Sequence, residues 1–279
     1  MSYKEPSVLL RIANTEELEA DYRRNQLKFS CAANWINYEK TKKNHTMGDY
    51  LEGVFGHVVY PFNFNSLVDK NNHPVKDKIA IDLYRDNNAN TTLYLRYEPT
   101  ILMPTICFFG ISLDDINQQT NIFEFLFSDY AKLFNLTVKD SNVLLIDNLD
   151  SFKSDLIVGI IKAVEQNYGT LLTNNGFARK FSKNTPYMAH YINYYKYNYD
   201  SFFIDNCCDA SPLFAKCKDY EKQSEFRIVI NNIHFTHKYS NNEHYNHRLN
   251  TLYVTLPNLH KYSRIFSTNI VLKMKKLLR

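Results

Sequence analysis

Residues Cys217 to Asn232 read C-K-D-Y-E-K-Q-S-E-F-R-I-V-I-N-N. The second half of this stretch, Glu225-Phe226-Arg227-Ile228-Val229-Ile230, alternates charge with hydrophobe and then passes into β-branched residues, the pattern of a half-buried strand entering a core. Successive side chains point to opposite faces of a strand, so Glu225 and Arg227 leave it on the same face, two residues apart. Two charges at the entrance to a buried strand mark a candidate site.

On the N-terminal side of that strand, Pro212-Leu213-Phe214-Ala215-Lys216 precedes it, and Tyr187 to Tyr199 (Y-M-A-H-Y-I-N-Y-Y-K-Y-N-Y) reads either as an extended aromatic strand or as a low-complexity product of codon bias. On the C-terminal side, Ile233 to Lys238 reads as a His-bearing strand, and Leu252 to Leu256 and Asn269 to Met274 read as further strands. Near the start of the chain, Ser7 to Ala13 reads as a strand carrying Arg11. Thr15 then offers an N-cap, with Glu16 and Glu17 in an acidic first turn, for a helix to about Arg24. Gln26 to Cys31 alternates as a second strand and carries Ser30. Val54 to Tyr60, Lys78 to Arg85 and Thr91 to Glu98 read as antiparallel strands, the last two forming a hairpin across the turn-rich Asp86 to Asn90. Thr105 to Phe109 and Val143 to Ile146 are continuously apolar, as buried strands are. Thr120 to Leu133 and Asp150 to Gln166 have helical spacing, the second with Phe152, Leu156, Ile160 and Val164 on one face.

These elements predict an α+β fold with a mostly antiparallel, aromatic-rich sheet. With seven Gly, eight Pro and no linker-like stretch in 279 residues, the whole chain, 1–279, is expected to form one domain. A 44% apolar and 15% aromatic composition is that of a packed globule. The formal charge of +4, from 33 Lys and Arg against 29 Asp and Glu, is too small to imply a polyanionic partner. Five Cys without C-x-x-C spacing disfavour a disulfide framework or zinc knuckle, and with no apolar run of membrane-span length a reducing cytoplasm is the expected setting.

Arg11, Ser30, Asp49, Glu52, Glu225 and Arg227 all sit on or beside expected strands, where each buried charge can find an opposite partner. A structural ion-pair network is the plain reading of such a set. Adjacent Cys207 and Cys208 lie between Asp205 and Asp209, surroundings that raise a thiol pKa and argue against a nucleophile. His234, His237, His244 and His247 count as a metal cluster, but in an Asn-rich loop they read as solvated surface.

The succession L-L-R (Leu9 to Arg11), L-K-F-S (Leu27 to Ser30), G-D-Y-L-E-G (Gly48 to Gly53), I-C-F-F (Ile106 to Phe109), L-F-A-K (Leu213 to Lys216) and Y-E-K-Q-S-E-F-R-I-V-I (Tyr220 to Ile230) resembles a family of uncharacterised bacterial proteins. Its members pair an early arginine strand and a serine-ended strand with a late E-x-R strand. The chain departs from that pattern after Cys31, where the longer path to Gly53 replaces an N-D-P-F-E-like turn. More distantly it resembles the ADP-ribosyltransferase superfamily, with an Arg on the first strand, a Ser on a middle strand and a catalytic Glu on a late one. The resemblance implies NAD as cofactor, Glu225 as catalytic carboxylate, Arg11 as the phosphate-binding group and Ser30 as the middle serine, with Ser112 competing on order. Arg227 and Tyr195 join Arg11 as cofactor-binding residues, the tyrosine for stacking on nicotinamide. A guanidinium pairs bidentately with pyrophosphate, and a carboxylate stabilises the ribosyl cation as nicotinamide leaves. An abortive-infection or anti-phage toxin, acting on a protein or nucleic-acid acceptor, is the setting the resemblance implies.

Two other classes stay open. A metal-dependent nuclease or nucleic-acid-binding protein would use Asp49, Glu52 and Glu225 as oxygen ligands and Tyr194, Tyr195, Lys196, Tyr197 and Tyr199 as stacking faces. A non-catalytic sensor or interaction module of a defence system would use exposed aromatics as anchors.

Overall fold

The computed structural model describes residues 5–42, 52–59, 79–85, 91–112, 141–177, 179–195, 202–203, 210–217, 225–237 and 250–267. Its strands begin β1 (Val8–Asn14), β2 (Gln26–Phe29), β3 (Val54–Val59), β4 (Ile79–Arg85), β5 (Thr91–Tyr97), β6 (Thr105–Ile111), β7 (Ser141–Ile146) and β8 (Leu172–Thr173). They continue β9 (Tyr187–Tyr191), β10 (Asn193–Tyr195), β11 (Phe202–Phe203), β12 (Ala215–Cys217), β13 (Glu225–Ile230), β14 (His234–Phe235), β15 (Leu252–Thr255) and β16 (Ser263–Ser267). The helices are α1 (Thr15–Arg23), α2 (Ala32–Lys42), α3 (Glu98–Ile101), α4 (Leu149–Asn167) and α5 (Leu259–Tyr262).

The central sheet has six strands in the order β16-β7-β1-β6-β13-β9. Every neighbouring pair in it is antiparallel. A second, four-stranded antiparallel sheet runs β11-β3-β5-β4, and it contains the expected β4–β5 hairpin. The α+β, mostly antiparallel architecture is therefore observed.

Register decides which side chains share a face. Leu9 lies opposite Gly110 and Ile146, Arg11 opposite Leu144, Phe108 opposite Phe226, and Ile106 opposite Ile228. That face is covered by α4 and α1: Phe152 meets Phe108 edge to face at 6.1 Å, and Asn142 donates to Glu19 on α1 at 3.0 Å. On its other flank α4 approaches β15 closely because Gly159 has no Cβ; an added one would meet the Thr255 carbonyl oxygen at 2.6 Å. Fully burying residues such as Phe152, Leu156 and Ile160 contributes about 1.5–3 kcal/mol each. The opposite face carries Leu10, Phe109, Cys107, Glu225 and Arg227, and it is covered by α2 and by the residues leading into β3.

Several local expectations are corrected. Asn14, not Thr15, caps α1, its side chain accepting from the Glu16 amide at 3.0 Å. The segment after Cys31, for which the sequence pattern gives no expectation, is helix α2 and carries Trp35. The aromatic stretch from Tyr187 breaks at Ile192 into β9 and β10, which join different partners: β9 pairs with β13, and β10 runs parallel to β12. The His-bearing strand is only His234–Phe235. Ser263–Ser267 forms the edge strand β16, which the hydrophobic pattern did not single out. The helix expected at 120–133 and the strand expected at 269–274 lie outside the described residues. Among the described residues no helix is long and apolar enough to cross a membrane.

Candidate functional site

The alternation of β13 sends Glu225 and Arg227 to the same face, and the layer above supplies their partners. Arg227 Nε donates to Glu225 Oε1 at 2.5 Å. Its Nη1 donates to Glu52 Oε1, Nη2 donates to Glu52 Oε2 at 2.9 Å, and Nη1 also donates to the Leu213 carbonyl at 2.6 Å. This is the bidentate fork that a guanidinium makes with a carboxylate. Lys216, on β12, donates to the other Glu225 oxygen at 3.1 Å. The Trp35 ring of α2 lies 5.3 Å from the Arg227 guanidinium carbon, a cation–π contact.

Exposure is graded across the network. The side chains of Arg227 and Glu52 are 1% exposed, against 9% for Lys216 and 10% for Glu225. Glu52 is itself anchored, because Arg96 on β5, wholly buried, donates from Nε to the Glu52 carbonyl at 3.0 Å. The network thus ties the six-stranded sheet to the four-stranded one.

Its electrostatics favour the charged states. Burial pushes the Glu225 carboxyl up, but the Arg227 and Lys216 charges and hydrogen bonds from Arg227 and Cys107 hold it well below the usual carboxylate range. Burial disfavours the Arg227 cation, yet the Glu225 and Glu52 charges raise its pKa well above the ordinary value. The Cys107 thiol, opposite Arg227 in the sheet, is pushed up by burial and then by the Glu225 charge, so it is a poor nucleophile. A carboxylate of this kind stays ionised at neutral pH and serves as a fixed negative charge rather than a proton carrier.

The residues expected to converge on one ligand pocket do not all do so. Leu10 and Glu225 both lie opposite Phe109, so Arg11, one residue along, leaves the sheet on the face opposite Glu225. Arg11 lies beneath α1, where its charge lowers the Asp21 pKa that burial raises. Ser30 forms an isolated bridge with Thr105 and accepts a hydrogen bond from Asn34 at 2.8 Å. Thr105 precedes Phe109 by four residues, which sets Ser30 about 13 Å along the strand from the row of Glu225. Ser112 is buried just past the end of β6.

Tyr195 is the last residue of β10, in register with Cys217, so its backbone lies one position along from Lys216 on the neighbouring strand. Arg227 has its guanidinium engaged by Glu52 and Glu225 and cannot grip a pyrophosphate without releasing them. Asp49 and Tyr197 lie outside the described residues, as do Cys207, Cys208, His244 and His247. Glu52 and Glu225 grip a guanidinium between them, and among the described residues no three His, Cys, Asp or Glu side chains converge as metal ligands do.

Sequence reasoning passed over Lys216, Trp35 and Cys107. A lysine within the otherwise apolar run Leu213 to Cys217 is the signal that points to Lys216; nothing local marks the other two. No protein-family model, no curated protein and no solved structure matches this chain, so its resemblances rest on the quoted motifs alone.

Proposed function

We propose that the chain is a non-catalytic sensor or interaction module in which Glu52, Arg227, Glu225 and Lys216 form an internal clasp between two sheets. The observation that carries this reading is saturation: one buried guanidinium engages both Glu52 oxygens, Glu225 and a backbone carbonyl, while Lys216 closes the other Glu225 oxygen. Charges engaged in this way hold a fold in register rather than wait for a ligand. Placing Arg11 on the far face also removes the phosphate-binding partner that an ADP-ribosyltransferase would need beside Glu225. Incubating the purified protein with NAD and following nicotinamide, beside Glu225→Gln, tests this; the expected outcome is no release above buffer with either protein.

One observation favours a second reading, an NAD-using transferase or glycohydrolase. Glu225 is held ionised and oriented, and at 10% side-chain exposure it is more accessible than Glu52 at 1%. A fixed anion stabilises a ribosyl cation as nicotinamide departs. In that reading Lys216 moves aside to admit substrate, and Arg227 is a positioning residue. Nicotinamide release by the native chain that Glu225→Gln abolishes would replace the first reading with this one.

A further inference from the structure

A cleft of about 540 Å³ opens away from the charged clasp, between α3, β8 and β14. Its walls are tied together by backbone. Strand β8 pairs with β14, the Phe235 amide donates to the Leu102 carbonyl at 3.0 Å, and the Thr236 amide donates to Leu171 at 3.1 Å. The rim at Gly176 has φ +99°, and a Cβ there would meet Pro99 at 2.8 Å, so only glycine lets this turn close on α3. The Tyr97 hydroxyl donates to the Gly176 carbonyl, and Phe177 stacks edgewise on Tyr97 at 6.2 Å and on His234 at 5.7 Å. The cleft is therefore preformed, and its volume falls in the range of small-molecule sites, about 300–1,000 Å³.

The polar lining is mixed: Glu98 brings a carboxylate, while the Asn175 carboxamide and the Thr173 hydroxyl each keep a proton to donate. Glu98 is the one acid or base besides His234 among its lining residues, and it makes no ion pair and no side-chain hydrogen bond among the described residues. The His234 ring is engaged: Nδ1 lies 2.8 Å from the Phe235 carbonyl oxygen, and Nε2 lies against the Asn175 carbonyl. The Thr236 hydroxyl donates to the Thr170 carbonyl at 3.2 Å, which leaves it only lone pairs to offer. Thr173 Oγ1 accepts from the Asn175 amide at 3.3 Å. Pro99, Leu102 and Phe235 supply apolar wall.

We infer that this cleft binds a small organic cation, an amine, amidine or guanidine on an apolar body, with Glu98 as its counter-ion. Glu98 is the one formally anionic group in the lining, and a carboxylate among apolar residues favours a ligand that brings the compensating cation. The inference deepens the sensor reading by naming a ligand class and takes only its biological meaning from that reading. The nicotinamide assay probes the Glu225 clasp; the titration below probes Glu98, so either result stands without the other.

Calorimetric or NMR titration of the full chain with benzamidine, neutral benzamide and anionic benzoate compares ligands of one shape and three charges. Benzamidine is expected to bind at least about tenfold more tightly than benzamide, with benzoate weakest, and Glu98→Gln to erase the preference for the cation. Equal binding of benzamidine and benzamide, or no benzamidine binding at all, overturns the inference. So does a folded Glu98→Gln that still prefers benzamidine. The three-ligand comparison on the native chain decides the matter even if that variant fails to fold.

Discussion

The clasp around Arg227 and the cleft beside Glu98 use the same kinds of group in opposite ways. In the clasp, two carboxylates, a guanidinium and an ammonium satisfy one another within the interior. In the cleft, one carboxylate stands against apolar wall with no partner of its own among the described residues. A buried charge costs several kcal/mol unless it is paired, so the first arrangement belongs to folding, whereas a carboxylate at an open cleft can keep its water until a ligand comes. Charge placement inside a core therefore marks architecture here, and unmatched charge at a preformed opening marks recognition.

The comparison breaks most decisively at Arg227. Arg227→Ala leaves Glu52 buried without its guanidinium and Glu225 with Lys216 alone, and it is expected to cost about 3–5 kcal/mol in denaturant unfolding. A loss below about 1 kcal/mol, the scale of exposed ion pairs, would mean that the network is solvated. Glu225→Gln is milder, because Arg227 keeps Glu52; about 1–3 kcal/mol is expected from the Lys216 ammonium left without its acid.

Acid should sharpen the contrast. The folded-state pKa of Glu225 is depressed, so its contribution is fully present above the unfolded value, about 4.3, and is lost as pH falls toward the folded value. Unfolding curves between pH 7 and pH 2 should therefore show a steep acid limb in the native chain and a shallower one in Glu225→Gln. Identical limbs would separate Glu225 from the acid response. The smallest effect is expected at Glu98→Gln, which removes no side-chain hydrogen bond or ion pair among the described residues and should stay within about ±0.5 kcal/mol in stability while changing cation affinity.

Much of the fold was legible because its signals are local. Alternation through Glu225-Phe226-Arg227 marked β13, and the helical spacing of Phe152, Leu156, Ile160 and Val164 marked α4 within a residue at either end. Strand β16 was missed because Ser263-Arg264-Ile265-Phe266-Ser267 is short, polar at both ends and, among the described residues, paired on one side only. Helix α2 was missed because A-A-N-W-I-N-Y-E-K has no clean apolar stripe; what holds it is tertiary, the burial of Ala32, Ala33 and Ile36 in the core together with the Trp35 contact to Arg227. At the site, the reading of Glu52, Glu225 and Arg227 as members of one ion-pair network names three of its groups, but the pairing of Glu52 with a guanidinium 175 positions later, and the exclusion of Arg11, follow from no local pattern.

That Glu225 and Arg227 would share a face follows from covalent geometry, because the two-residue period of a strand operates whatever surrounds it. Their partners follow from no local rule. Whether Arg11 met Glu225 depended on the register of β1, β6 and β13 together, and a slip of a single residue would have reversed the answer. Long-range pairing and layer packing put Glu52 and Lys216 around one guanidinium and sent Arg11 to the other side, since partner choice is set by contacts between segments far apart in the chain.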